Sequence, residues 1–172
     1  MNLLNFRILL LLVLLACHNV HAAQHIAVLD FELIDLTSLP NTAQEQQRTA
    51  SIRPLLEQAL VKKGDYDIVH INAQDQANAN SSVGYLFRFD DLAAKLGEQH
   101  DADWVIVGRH SKPSFLFSYL MVHVIQVKTQ TLVARFDIEL KGNHEKVTGR
   151  GVNKLADKIA EFIDSKRQYP FQ

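Results

Sequence analysis

The spacing of apolar positions changes character several times along this chain. Residues 25–33, His-Ile-Ala-Val-Leu-Asp-Phe-Glu-Leu, are rich in β-forming side chains and predict a first strand. Residues 37–42 contain Pro40 and Asn41 and predict a loop. Over 43–63 the period lengthens. Ile52, Leu55, Leu56, Ala59 and Leu60 recur at helical spacing, and Gly64 supplies a stop. Pro54, inside that pattern, predicts a kink or the first turn of a second segment. Residues 66–71 predict a second strand. Residues 72–83, rich in Asn, Gln, Asp, Ala and Ser, predict a mobile loop. Over 89–100, Leu92, Ala93 and Leu96 share one face of a second helix.

The carboxyl-terminal half reads differently. Residues 102–110, with Trp-Val-Ile-Val at their centre, predict a third strand. Residues 114–127 are apolar on both alternating faces, the pattern of a central strand covered on both sides. After a turn at 128–131, residues 132–141 alternate. Leu132, Ala134, Phe136, Ile138 and Leu140 face inward, and Arg135, Asp137, Glu139 and Lys141 face outward, as on a protected edge strand. A third helix spans 144–166, with Val152, Leu155, Ala156, Ile159 and Ile163 on its buried stripe. The order β-α-β-α-β-β-β-α, with right-handed crossovers, predicts an α/β fold. Its five-stranded mixed sheet has the order 2-1-3-4-5, with three helices, the first two on opposite faces.

The amino terminus carries an address. Arg7 precedes an apolar run too short to span a bilayer, the design of a secretory signal. Two exits compete. Val20-His21-Ala22 fits a cleavage site that makes 1–22 the signal peptide and 23–172 one periplasmic domain. Leu14-Leu15-Ala16-Cys17 resembles a lipobox, in which 1–16 is removed and Cys17 is lipidated. Cys17 is the one cysteine, so the mature domain has no internal disulfide, no cysteine nucleophile and no cysteine-ligated zinc. Hydrophobic residues make up 47% and charged residues 22%, ordinary values for a globular chain and wrong for a disordered one. The net charge of −1 argues against a nucleic-acid binder. No later run is long enough to span a membrane as a helix, which leaves the lipid at Cys17 as the one route to a membrane.

A resemblance follows from particular residues. The opening His25-Ile-Ala-Val-Leu-Asp-Phe-Glu, the helix end Leu-Val-Lys-Lys-Gly64 and Ala102-Asp-Trp-Val-Ile-Val-Gly108 are similar to the amino-terminal domain of the Tol-system protein TolB and to related lipoprotein domains. Val107-Gly108-Arg109, Lys112-Pro113-Ser114, Lys141-Gly142-Asn143 and Arg150-Gly151 more closely resemble an uncharacterised family of exported bacterial proteins. That family pattern has an aromatic shortly before the Arg-Gly pair, where this chain has Val147-Thr148-Gly149. The resemblance implies a fold and a compartment, no reaction and no cofactor, and broader relatives that work mostly by protein contact.

The sequence contains no G-x-S-x-G elbow, zinc-binding H-E-x-x-H, phosphate loop or dinucleotide fingerprint. Gly149 and Gly151 predict a close approach of the last helix to the sheet. Asp30 and Glu32, two apart on one strand, fit either a carboxylate pair or a solvated strand end. Strand ends are favoured ligand positions in open α/β sheets. One rim is expected to gather Glu32, Asp35, His70, Arg109, His110, Lys112, Asn143 and His144, as a small anion site or as ordinary solvated loops. The candidate binding residues are Arg109, Lys112, Ser114, Asn143, His144 and Arg150, with no catalytic or metal residue assigned. Phe115-Leu116-Phe117 is expected in the core, and Tyr85-Leu86-Phe87 is the candidate sticky patch. Two functions follow: a non-enzymatic accessory domain that binds another envelope protein, or a small-ligand binder or weak enzyme at the rim around Arg109, Lys112 and Asn143. Oligomeric state is left open.

Overall fold

The computed structural model describes residues 23–142 and 144–168. The leader, Cys17, Asn143 and the side chain of His144 lie outside the described residues. The strands are β1 (Gln24–Val28), β2 (Glu32–Asp35), β3 (Tyr66–Val69), β4 (Trp104–Lys112), β5 (Phe117–Gln126) and β6 (Thr131–Lys141). The helices are α1 (Ala43–Ala50), α2 (Ile52–Val61), α3 (Ala73–Ala79), the short α4 (Tyr85–Arg88), α5 (Asp90–Glu98) and α6 (His144–Gln168). They form a single α/β domain around one sheet of order β3-β1-β4-β5-β6, with β2 also beside β4. The predicted order holds, with more strands and helices than five and three.

The extra strand comes from an interruption. Val28 pairs with Ile106 and Glu32 with Arg109, so four steps along one strand match three along β4. That extra residue breaks the first predicted strand into β1 and β2. The freed backbone of Asp30 is recovered by one side chain. Its N–H donates to Gln76 Oε1 (2.8 Å), and its carbonyl accepts from Gln76 Nε2 (3.1 Å). Gln76 lies on α3, inside the segment read as a mobile loop. Asn72 caps that helix by accepting from the Asp75 N–H (2.8 Å), a start signal the Asn-x-x-Asp spacing carried. The break also gives Asp30 and Glu32 different partners, against their reading as a carboxylate pair. Asp30 meets Arg53 (3.3 Å), whereas Glu32 accepts from Asn80 (2.8 Å).

The helix over 43–63 divides at Ser51. Pro54 then falls in the first turn of α2, where a missing N–H costs least. Two apolar layers sandwich the sheet. Ile52, Leu56 and Leu60 of α2 and Leu155, Ile159 and Ile163 of α6 pack on one face. Leu86, Ala93, Ala94 and Leu96 pack on the other. The first two predicted helices therefore do lie on opposite faces. β4 is the strand covered on both sides. The expectation for β5 is met on one face only, because Phe117, Tyr119 and Met121 are left half-buried where α4 and α5 end. β6 is the edge strand, with Arg135, Asp137, Glu139 and Lys141 exposed. Its register slips between Val124–Ala134 and Ile125–Leu132, which turns Leu132 away from its predicted partners and into the opposite layer.

Candidate functional site

Among the described residues the expected rim divides into separate groups, for reasons of register. Val69, at the end of β3, pairs with Ala27, and Ala27 with Val105. β4 runs on seven residues further, to Lys112, or about 23 Å at strand rise. His70 therefore sits exposed beside Glu57 (3.8 Å), far from the end of β4. Alternation along β4 then divides the remainder, with His110 and Lys112 facing α1 and Arg109 pointing through the other face. Arg109 and Lys112 do not converge.

Beneath α1 the structure assembles a buried polar cluster. Lys112 Nζ lies 3.0 Å from Glu45 Oε1 and 3.8 Å from Asp35 Oδ2. Arg48 Nη1 lies 3.3 Å from Glu45 Oε2. The Arg48 Nε–H donates to Thr148 Oγ1 (2.8 Å), joining α1 to α6. His110 is enclosed, with Nδ1 2.7 Å from Thr49 Oγ1 and Nε2 3.1 Å from Ser118 Oγ. Burial, reinforced by the Arg48 charge, pushes its pKa down to about 4, so it is neutral at pH 7. Burial alone would raise the carboxyls of Asp35 and Glu45. The hydrogen bonds to Asp35 from Thr37 and Asn41 outweigh it there, with the Lys112 charge. At Glu45 the Lys112 hydrogen bond and the Arg48 charge do the same, so both carboxyls lie below their ordinary range.

The cluster braces an apolar surface. Asp35 Oδ1 accepts from the Thr37 N–H (3.1 Å) and hydroxyl (2.7 Å), and Oδ2 from the Asn41 N–H (3.1 Å). That carboxylate organises the loop after β2. The Leu36 N–H donates to the Lys112 carbonyl (3.0 Å), seating the loop beside the β4–β5 hairpin. Ser114 Oγ accepts from the Leu116 N–H (3.2 Å) and shapes the hairpin tip, while Lys112 Nζ lies 5.4 Å from the centre of the Phe115 ring. On this frame Leu116 is 80% exposed, Leu36 71%, Leu39 68% and Phe115 52%. The two aromatic segments have thus exchanged their expected places. Phe115 and Leu116 are outside, whereas Leu86 is buried and Tyr85 and Phe87 are half-buried. Lys112-Pro113-Ser114 was the turn signal that could have shown this. Glu45, Arg48 and Thr49 went unread because their helix is mostly polar and its buried face is ionic, which hydrophobic periodicity does not register.

Arg150 is exposed on α6, above a shallow cavity of about 240 Å3 that Gly151 and Lys154 also line. Gly151 makes the expected close approach, since an added Cβ there would lie 2.2 Å from Leu140 Cδ2, whereas Gly149 faces open space. Among the described residues no three of His, Asp and Glu converge as a metal site, and no helix is long and apolar enough to cross a membrane.

A family model for a protein of unknown function (DUF2380) matches residues 24–159. The chain belongs to the DUF2380 family. The expected membership of an uncharacterised family is borne out, and this family carries no assigned activity. No curated protein matches the DUF2380 chain. Among solved structures it is similar to PelC of Paraburkholderia phytofirmans, a dodecamer. Identity is 12% and the TM-score 0.50, covering 83% of this chain and 88% of that one. It is also similar to the LpoB carboxyl-terminal domain of Salmonella enterica, at 17% identity and a TM-score of 0.47, covering 77% and 93%. TolB of Acinetobacter baumannii matches at 15% identity and a TM-score of 0.48, over 82% of this chain but 29% of its own length. At these identities the likeness is one of fold.

Proposed function

We propose that this DUF2380 protein is a non-enzymatic exported accessory domain that docks on another protein of the cell envelope through the apolar end of its sheet. The observation that carries the proposal is the group Leu36, Leu39, Phe115 and Leu116, exposed on two adjoining loops and held there by Asp35 and Lys112. Scattered apolar side chains are ordinary on a surface, but several on a braced frame fit a contact site. A pre-ordered surface also loses little conformational entropy on binding. The leader fits the same role. Residues 1–22 act as a signal peptide that delivers 23–172 to the periplasm, or Cys17 becomes the lipidated first residue of a membrane-held form.

The test is a photo-crosslinker placed at Leu116 in the native host, with the exposed Asn153 of α6 as the control position. The expected result is one envelope protein captured from position 116, absent from position 153, and lost when Leu36 and Leu39 are both changed to Ser. Arg150→Ala alongside tests whether the contact extends over α6. Equal capture from both positions would refute the proposal. So would a crosslink between two copies of this chain, because the apolar end would then be a self-assembly surface.

A further inference from the structure

The opposite face of the sheet holds a second concave site, away from the apolar end. Arg109 leaves β4 on this side and lies over Phe87, its guanidinium carbon 4.2 Å from the ring centre. Phe87 stacks in turn on His123, with ring centres 3.8 Å apart. The guanidinium plane is therefore set by a packed stack. Its Nη2–H donates to the Gly84 carbonyl (3.1 Å). Only glycine permits this approach. Gly84 has φ +76°, and an added Cβ would sit 1.9 Å from Arg109 Nη2.

Part of this guanidinium's donor capacity is unspent. Nε is buried in an ion pair with Glu32 Oε2 (3.7 Å), too long for a hydrogen bond. Nη1 donates to no described residue. Arg109 lines a cavity of about 350 Å3 together with Ser82, Gly84, Tyr85, Arg88 and Phe89. Among the described residues no carboxylate lines it. The Arg88 side chain is exposed and makes no ion pair or hydrogen bond with a described residue, while its backbone N–H donates to the Gly84 carbonyl (3.1 Å). Arg135, opposite His123 on β6, adds a further positive charge nearby, against Glu32 and the Asp90 carboxylate on His123. The volume lies within the range of small-molecule sites, and an arginine held flat beside a second one suits a planar carboxylate. Tyr85 and Phe89, with ring centres 4.8 Å apart, give the cavity an apolar wall.

We propose that the cavity between Arg109 and Arg88 binds a small carboxylate with an aromatic or apolar body. The probe is phenylacetate, added to the 15N-labelled protein and followed by amide chemical shifts. Benzylamine, of similar shape and opposite charge, is the control. Saturable shifts at Gly84, Arg88 and Arg109 are expected with phenylacetate and none with benzylamine. R88Q removes a charge that pairs with no described residue and should weaken the affinity at least tenfold. R109K keeps the charge beside Glu32 but loses the planar fork, and should do the same. Absence of saturable shifts overturns the proposal, as do equal shifts with benzylamine or unchanged affinity in folded R88Q.

Discussion

Replacing His110 by glutamine should flatten the pH dependence of this protein's stability. In the folded state the ring is enclosed between Thr49 and Ser118, and burial with the Arg48 charge holds its pKa at about 4, against an ordinary 6.5. Between those values the unfolded chain binds a proton that the folded chain refuses. Stability therefore rises with pH across that window and is lost as pH falls through it. Weighting both states by their protonation gives a loss of about 2 kcal/mol from His110 between pH 7 and pH 5. Glutamine offers the two hydroxyls hydrogen-bonding partners and has no proton to gain. Urea unfolding of wild type and H110Q at pH 7 and pH 5 measures the difference. H110Q is expected to start less stable but to lose about 2 kcal/mol less on acidification. His123, also depressed by its burial, contributes equally to both proteins and cancels. Asp35 and Glu45, held low, act in the same direction but lose their contribution mainly below this window. An equal loss in the two proteins would refute the assignment.

Lys112→Met should cost about 3 kcal/mol or more in urea unfolding, because it leaves Asp35 and Glu45 buried beside an uncharged group. The two glycines at the start of α6 should respond in opposite directions to alanine. Gly149→Ala gains about 0.5–1 kcal/mol of helix propensity in open space. Gly151→Ala loses about 1–3 kcal/mol by forcing a methyl into Leu140, and thermal unfolding of the pair reads both signs. Phe115→Ser with Leu116→Ser should leave stability within about 0.5 kcal/mol of wild type while abolishing capture of the partner. The mass of the mature amino terminus should match either a chain beginning at Ala23 or one beginning at a lipidated Cys17.

The architecture was legible in the sequence because burial imposes periods. Ile52, Leu56 and Leu60 could face the sheet only as a helix, and the Trp-Val-Ile-Val run of β4 could be satisfied only between two layers. Short links and right-handed crossovers then left few ways to order the strands. Asn72 and Asp75 also carried a helix start that composition obscured. Register was different. One extra residue between Val28 and Glu32 gave Asp30 and Glu32 different partners, and another in β6 moved Leu132 to the opposite layer. A single-residue slip changes which face every later side chain occupies while leaving local composition unchanged, so no local pattern announces it. The candidate site divided because β4 runs seven residues beyond the end of β3 and its side chains alternate between the two faces. The sequence by itself determined which residues were charged, which were apolar and which segments would turn. Only the tertiary structure decided that Lys112 would be sealed beneath α1, that Arg109 would line one cavity with Arg88 on the opposite face, and that Phe115 and Leu116 would stand outside. Each outcome depends on where chain distant in sequence supplies cover, and that cover exists only once the whole sheet has closed.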